Sequence, residues 1–161
     1  MMDERTENPV TRDDFDLQQF FPYLTRVFYK SVSSSITDLY SASYDMTPPE
    51  WRTMAILGRE GRLTAAEVVN RSSMDKVTVS RAVKKMSALG LLDKTSNRAD
   101  GRSTVLHLSA KGRKIYLDLV PKMLAVEQEL LKGISSQDYQ LLVQLFEKIK
   151  FNALQISASK Q

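Results

Sequence analysis

The sequence predicts a mainly α-helical chain with one small β-hairpin, and three observations carry that prediction. Apolar residues recur at three- and four-residue intervals over long stretches, as in Phe20, Leu24 and Val27 or Ile115, Leu119, Met123 and Val126. Helix punctuation stands at the ends of these stretches: Thr47 before Pro48-Pro49, Thr64 three residues before Glu67, Asp75, Ser109, and the glycines Gly90 and Gly133. Two strand-like runs, Leu91–Thr95 and Ser103–Leu108, flank a polar tip from Ser96 to Arg102.

Taken in order, Phe15 to about Tyr44 reads as a helix. Phe20, Leu24, Val27 and Ser31 form one row, and Phe21, Phe28, Val32, Ile36 and Leu39 form another a turn away. Tyr23, Tyr29 and Tyr40 add more apolar surface than one core-facing stripe requires. Pro48 and Pro49 suit the first turn of a second helix with Thr47 as its N-cap and Trp51, Met54, Ala55 and Leu57 as its core side. The capping box Thr64-Ala-Ala-Glu67 opens a short helix carrying Val68 and Val69. Asn70 to Met74 reads as a turn, and Asp75 as the N-cap of the next helix. There Val79, Ala82, Val83 and Met86 have the spacing of a buried stripe, leaving Thr78, Ser80, Arg81, Lys84 and Lys85 for solvent or a ligand. Gly90 is the expected C′ residue before the hairpin. Ser109 then caps a long helix interrupted only by Pro121, Gly133 ends it, and Ser135 or Ser136 starts a last helix bearing Leu141, Leu142, Leu145, Phe146, Ile149 and Leu154. No internal repeat or low-complexity linker is found.

The charge is uneven. The net charge of +4 conceals thirteen cations against five anions between Arg59 and Lys114, a local +8 that leaves −4 for the rest of the 161 residues. A basic segment on an acidic frame points to a polyanionic partner. Short helix, second helix with hydroxyls and cations, and basic hairpin together suit a winged helix-turn-helix that enters the DNA major groove. Lys76, Thr78, Arg81 and Lys85 are spaced to project from that second helix, where arginine and lysine suit guanine or phosphate and threonine suits phosphate or a thymine methyl. Ser72, Ser73 and Asp75 lie near its N-terminus, which favours a phosphate, although Asp75 also suits a plain cap. Arg98 fits an auxiliary phosphate contact. With no cysteine, disulfides and thiolate chemistry are excluded within the chain. His107 is the single histidine, in a strand whose apolar neighbours Leu106 and Leu108 face the other way, and no nucleophile elbow, phosphate-cradling glycine loop, metal-ligand spacing or dinucleotide fingerprint occurs. No enzyme activity, metal or cofactor is expected. Met1 to Asp14 lacks a signal-peptide core and is expected to be disordered, and no apolar run approaches the roughly 18 residues of a membrane span. A soluble, cytoplasmic protein is the expectation.

Thr78-Val79-Ser80-Arg81, the Gly90-Leu91-Leu92 step, Arg98-x-Asp100-x-Arg102 and Leu106-x-Leu108-Ser109-x-Lys111-Gly112 together resemble the MarR family of winged-helix transcriptional regulators, with helical framing that agrees from about Phe15 to Ile156. The resemblance implies a DNA-binding domain over 47–112 and a helical dimerisation region over 15–46 and 113–161, giving a homodimer on pseudo-palindromic double-stranded DNA. It implies a repressor more readily than an activator. It also implies that Arg102, at the wing tip, enters the minor groove while Asp100 holds it in place; the other reading is a hairpin salt bridge. Relatives that sense peroxide use a cysteine, which this chain lacks. Family members commonly bind a small aromatic or phenolic effector between the two lobes. Tyr23, Arg26 and Trp51 are the candidates here, since a cation beside aromatic rings can hold an aromatic acid. Arg26 equally suits an interhelical salt bridge, and Trp51 the core.

Overall fold

Proline placement decides where the first two helices begin. The computed structural model describes residues 15–96 and 104–159, and its first helix, α1, spans Phe21–Tyr44. This is six residues shorter than the periodicity suggests. Asp16 folds the preceding segment into a turn, accepting from the Gln18 amide through its carboxylate at 2.8 Å and from the Gln19 amide through its carbonyl at 3.1 Å. Pro22, which lacks an N–H, then sits in the first helical turn where none is needed. Asp45 ends α1 in the left-handed region (φ 49°). Helix α2, Pro48–Glu60, starts as expected at Thr47, whose amide donates to the Glu50 carboxylate at 2.9 Å.

The winged part follows. A two-residue strand β1, Leu63–Thr64, leads directly into α3, Ala65–Ser72. Helix α4 spans Lys76–Ala88, and strands β2, Leu92–Ser96, and β3, Thr104–Leu108, form the hairpin. The antiparallel sheet has the order β1-β3-β2, with Leu63 opposite Leu106 and Leu92 opposite Leu108. Helix α3 extends through Asn70, Arg71 and Ser72, which the sequence reads as turn. Ser72 turns inward, donates to the Val69 carbonyl and accepts from the Met74 amide, closing the last turn with its own side chain.

One core joins these elements. Val68 of α3, Val79 and Met86 of α4, Met54 and Leu57 of α2, Leu106 of β3, Tyr40 of α1 and Leu119 are buried together. Helix α5, Ala110–Leu130, continues through Pro121. Its start is fastened to the end of α4: the Ser109 hydroxyl donates to the Gly90 carbonyl at 2.7 Å, and Lys111 Nζ to the Leu89 carbonyl at 3.0 Å. Gly112 packs so closely on the Leu91 carbonyl that a Cβ would collide with it. That contact is the physical content of the Ser109-x-Lys111-Gly112 signature. Tyr44 donates to Asp118 at 2.6 Å, and Lys122 donates to the same carboxylate oxygen at 2.7 Å, tying α1 to α5. These bonds hold the Asp118 carboxyl below its usual range, the Lys122 bond first, and push the Tyr44 hydroxyl up.

The chain divides into two compact units, one ending at Val126 and one beginning at Glu127. In the second, Gly133 (φ +82°) breaks the chain after α5. Ser135 then caps α6, Ser136–Ala158, by accepting from the Asp138 amide at 3.1 Å. No residue of α6 is buried, and Leu141, Val143, Leu145, Ile149, Phe151, Leu154 and Ile156 are exposed. Among the described residues no helix is long and apolar enough to cross a membrane.

Candidate nucleic-acid interface

Helix α4 is held by both ends, and its leading face is left to solvent. At its start, Asp75 accepts from the Thr78 amide at 2.8 Å and from the Thr78 hydroxyl at 2.7 Å. Its carboxyl therefore lies below its usual range, the Thr78 hydroxyl first and the backbone amides after it. The same logic operates one helix earlier, where the Thr64 amide and hydroxyl donate to Glu67 and lower its pKa. Val79, Ala82, Val83 and Met86 are buried, as their spacing predicts. Between these caps and the core, Lys76, Ser80, Arg81 and Lys84 are exposed, and Lys94 of β2 is exposed beside them. A cleft of about 510 Å³ runs between α3, α4 and β2, with Ala65, Val69, Val79 and Val83 as its floor and Lys76, Lys84 and Lys94 among its walls.

The expected site residues separate into three groups. Ser73, Asp75, Lys76 and Arg81 are exposed at or near the start of α4, with Thr78 half-buried among them. Ser72 does not belong there: it is 4% exposed and its hydroxyl serves α3 and the following turn. Lys85 is also turned away from that face. Its ammonium lies 3.3 Å from Glu50 and donates to the Asp45 carbonyl at 3.0 Å, so it ties α4 to the α1–α2 connection. Spacing alone puts Lys85 next to Arg81 on the helix; the buried Glu50 carboxylate, remote in sequence, decides where its charge goes. Arg98, Asp100 and Arg102 lie outside the described residues, as does the segment Met1 to Asp14. Ser80 and Lys84, which the sequence leaves for solvent or a ligand without assigning them to DNA, join the exposed face, and so does Lys94 of β2.

His107 is opposite Asp93 across the hairpin, 3.9 Å from it, with Nδ1 buried and without a hydrogen-bond partner among the described residues. Leu106 on the other face is in the core. The histidine belongs to the packing of the hairpin.

The candidate effector residues are not gathered at one point. Trp51 stacks on Tyr40 with ring centroids 6.0 Å apart, and together with Tyr29, Ile36 and Arg52 it lines a cavity of about 240 Å³ between α1 and α2. Arg26 lines a neighbouring, wider groove of about 500 Å³ along α1 with Tyr29, Lys30 and Asp38. Tyr29 and Ser33 border both, whereas Tyr23 borders neither. Trp51 is thus half-buried at the edge of the core and a cavity wall at once.

Residues 44–103 match the model of the MarR family. Over 145 residues, 87% of this chain and 83% of the relative, the sequence is 26% identical to the HTH-type transcriptional repressor IacR of Pseudomonas putida. Bordetella bronchiseptica BpsR, whose DNA binding is regulated by 6-hydroxynicotinic acid, superimposes with a TM-score of 0.76 at 20% identity over 84% of this chain and 96% of that one. A MarR-family regulator from Listeria monocytogenes, solved with a 26mer DNA, gives 0.73 at 19% identity over 83% and 89%. The ordered motifs, the winged arrangement of α3, α4 and the hairpin, and these likenesses agree: residues 44–103 match a MarR-family domain, and the chain is similar in sequence to transcriptional regulators and in fold to regulators of that family.

Proposed function

We propose that the protein is a homodimeric repressor that binds a pseudo-palindromic DNA duplex and responds to a small aromatic or phenolic acid. The observation that carries this reading is the leading face of α4. Asp75 fixes its start, the core fixes its back, and Lys76, Ser80, Arg81 and Lys84 are left in water, with Lys94 of the hairpin alongside. An exposed cationic helix with a basic flanking hairpin suits a groove lined by phosphates. Residues 47–112 are the DNA-reading part in this account. Ser73, Lys76, Thr78 and Arg81 provide contacts from the described surface, and Arg98 and Arg102, aimed by Asp100, add those of the wing.

Dimerisation through residues 15–46 and 113–161 is supported by exposed apolar side chains that a lone protomer leaves in water. Helix α1 exposes Phe21, Leu24 and Val27, and α6 exposes Leu145, Phe151 and Leu154. Two-fold symmetry would place the two α4 helices about 34–36 Å apart, one turn of the duplex. The effector reading is supported by the cavity between α1 and α2, where Trp51, Tyr40 and Tyr29 provide aromatic faces and Arg52 a cation for a carboxylate. Repression is the activity named for the Pseudomonas relative.

A mobility-shift assay with genomic fragments tests DNA binding, and sedimentation of the same samples tests the dimer. Specific retardation of a subset of fragments by a dimer is the expected result. A monomer that binds with undiminished affinity would refute the paired geometry. A thermal-shift screen of aromatic acids, repeated with the retarded fragment present, tests the effector.

A further inference from the structure

Val77 is the side chain on α4 that neither the core nor the helix accounts for. It is 58% exposed; among the described residues of 47–112 the only other exposed large hydrophobic is Leu89, at the far end of the helix. A β-branched residue is also a weak choice for a solvent-exposed helical position. It occupies the second position of α4, where recognition helices approach base edges. Ser80 and Arg81 follow it at three and four residues and Lys84 at seven, so it shares their face. Thr78, the neighbour otherwise suited to an apolar contact with a base, has its hydroxyl committed to Asp75 and is half-buried.

We infer that Val77 is a specificity-determining residue that packs against the 5-methyl group of a thymine in each half-site. Of the four bases, only thymine presents an apolar group in the major groove. Exposed cations on the same face turn that face toward a polyanion, and a branched apolar side chain set among them has one complementary feature to meet there. Arg81, one turn further along, lies in reach of the neighbouring guanine or phosphate. This inference rests on the DNA-reading function proposed above and adds to it the base that α4 selects at its tip.

The test starts with full-length protein and a pool of randomised duplexes, from which repeated rounds of binding select a preferred site. Each thymine of that site is then replaced singly by uracil, which removes the methyl and keeps the base pair. Affinities of wild type and Val77→Ala are measured by fluorescence anisotropy. One thymine per half-site should lose about four-fold in wild-type affinity when its methyl is removed, the worth of one buried methyl group. Val77→Ala should bind the thymine and uracil duplexes equally. Its circular dichroism should match wild type, because the side chain it shortens is exposed. A selected site in which no uracil substitution weakens the wild type overturns the inference while leaving DNA recognition standing. So does a Val77→Ala protein that still discriminates the methyl as wild type does. A wild-type protein that enriches no duplex removes the DNA-reading function itself, and this inference with it.

Discussion

Replacing Lys85 by methionine removes one cation from α4 but keeps a long apolar stem, and its consequences for stability and for DNA binding are separable. Lys85 Nζ lies 3.3 Å from a Glu50 oxygen, with the glutamate side chain 6% exposed and the lysine 39%. Coulomb attraction at that distance is about 5 kcal/mol for an effective dielectric near 20 and about 1.3 kcal/mol in bulk water. Much of the larger figure is offset by the desolvation of Glu50. Exposed pairs contribute about 0–1 kcal/mol, while breaking a buried pair costs about 3–5 kcal/mol. A half-exposed lysine on a buried carboxylate that keeps the Thr47 amide as a second partner falls between these, at about 2 kcal/mol. Urea unfolding at neutral pH measures it. A double-mutant cycle with Glu50→Gln should return a coupling of about 1–2 kcal/mol, because the glutamine no longer leaves a stranded charge when the lysine is gone. DNA affinity provides the second readout. A lysine on a phosphate contributes about one unit to the slope of log affinity against log salt, so Lys85→Met should leave that slope unchanged. A stability within a few tenths of a kcal/mol of wild type, together with a slope reduced by one, would refute the assignment of Lys85 to Glu50.

Arg81→Ala should lower affinity for every duplex and reduce the salt slope by about one if Arg81 holds a phosphate. If it reads a base, the loss should be about 1–3 kcal/mol at one operator position; titrations at several salt concentrations distinguish the two. Asp75→Asn should cap α4 as well as aspartate at neutral pH but flatten the acid limb of the stability profile. The Asp75 carboxyl is depressed by its bonds to Thr78, so its contribution is complete above the unfolded pKa, near 4, and is lost as pH falls through the folded value; urea unfolding from about pH 6 to about pH 2 shows the difference. Leu145→Glu should leave the protomer folded, since that side chain is 46% exposed, and shift the sedimentation of a dimer toward monomer. If an aromatic acid from the screen lowers DNA affinity, Lys85→Met should bring the ratio of affinities without and with the acid closer to one, at unchanged affinity for the acid.

Most of the fold was legible because its signals are local. Thr47, Thr64, Asp75 and Ser135 cap the helices they precede, and the burial of Val79, Ala82, Val83 and Met86 follows from their spacing. What the sequence leaves open comes from side chains that answer to partners distant in sequence or to their own backbone. Ser72 looks like a turn serine but is buried because its hydroxyl closes the end of α3. Strand β1 is two residues long and exists through pairing with β3, some forty residues on, which no local pattern encodes. Lys85 has the spacing of a surface cation, and Glu50, thirty-five residues earlier, claims it. Tyr23 and Arg26 look like one aromatic-cation cluster on α1; Arg26 borders the groove along α1, and the cavity beside Trp51 is lined by Tyr29 and Arg52. Periodicity identifies which residues share a helix face but not which part of another helix lies opposite.

Helix α2 explains why the proposed effector cavity and the DNA-facing helix need no separate link between them. Pro48, Trp51, Arg52 and Ala55 border the cavity against α1, and their spacing of three, four and seven makes them one stripe of the helix. Glu50, Thr53, Met54 and Leu57 repeat the same spacing two residues on, and all four are buried. The second stripe carries α2 against the core and ends, at Glu50, on the Lys85 ammonium of α4. Lys85 also holds the Asp45 carbonyl, at the left-handed residue where the chain leaves α1 for α2. Packed interiors transmit displacement because they contain little free volume. A shift of the first turn of α2 by an occupant of the cavity therefore moves both partners of Lys85 together, and α4 must follow or give up an ion pair and a hydrogen bond. In the proposed function the first stripe would meet the small molecule while the second holds α4, the helix proposed to face DNA, on opposite sides of a single turn.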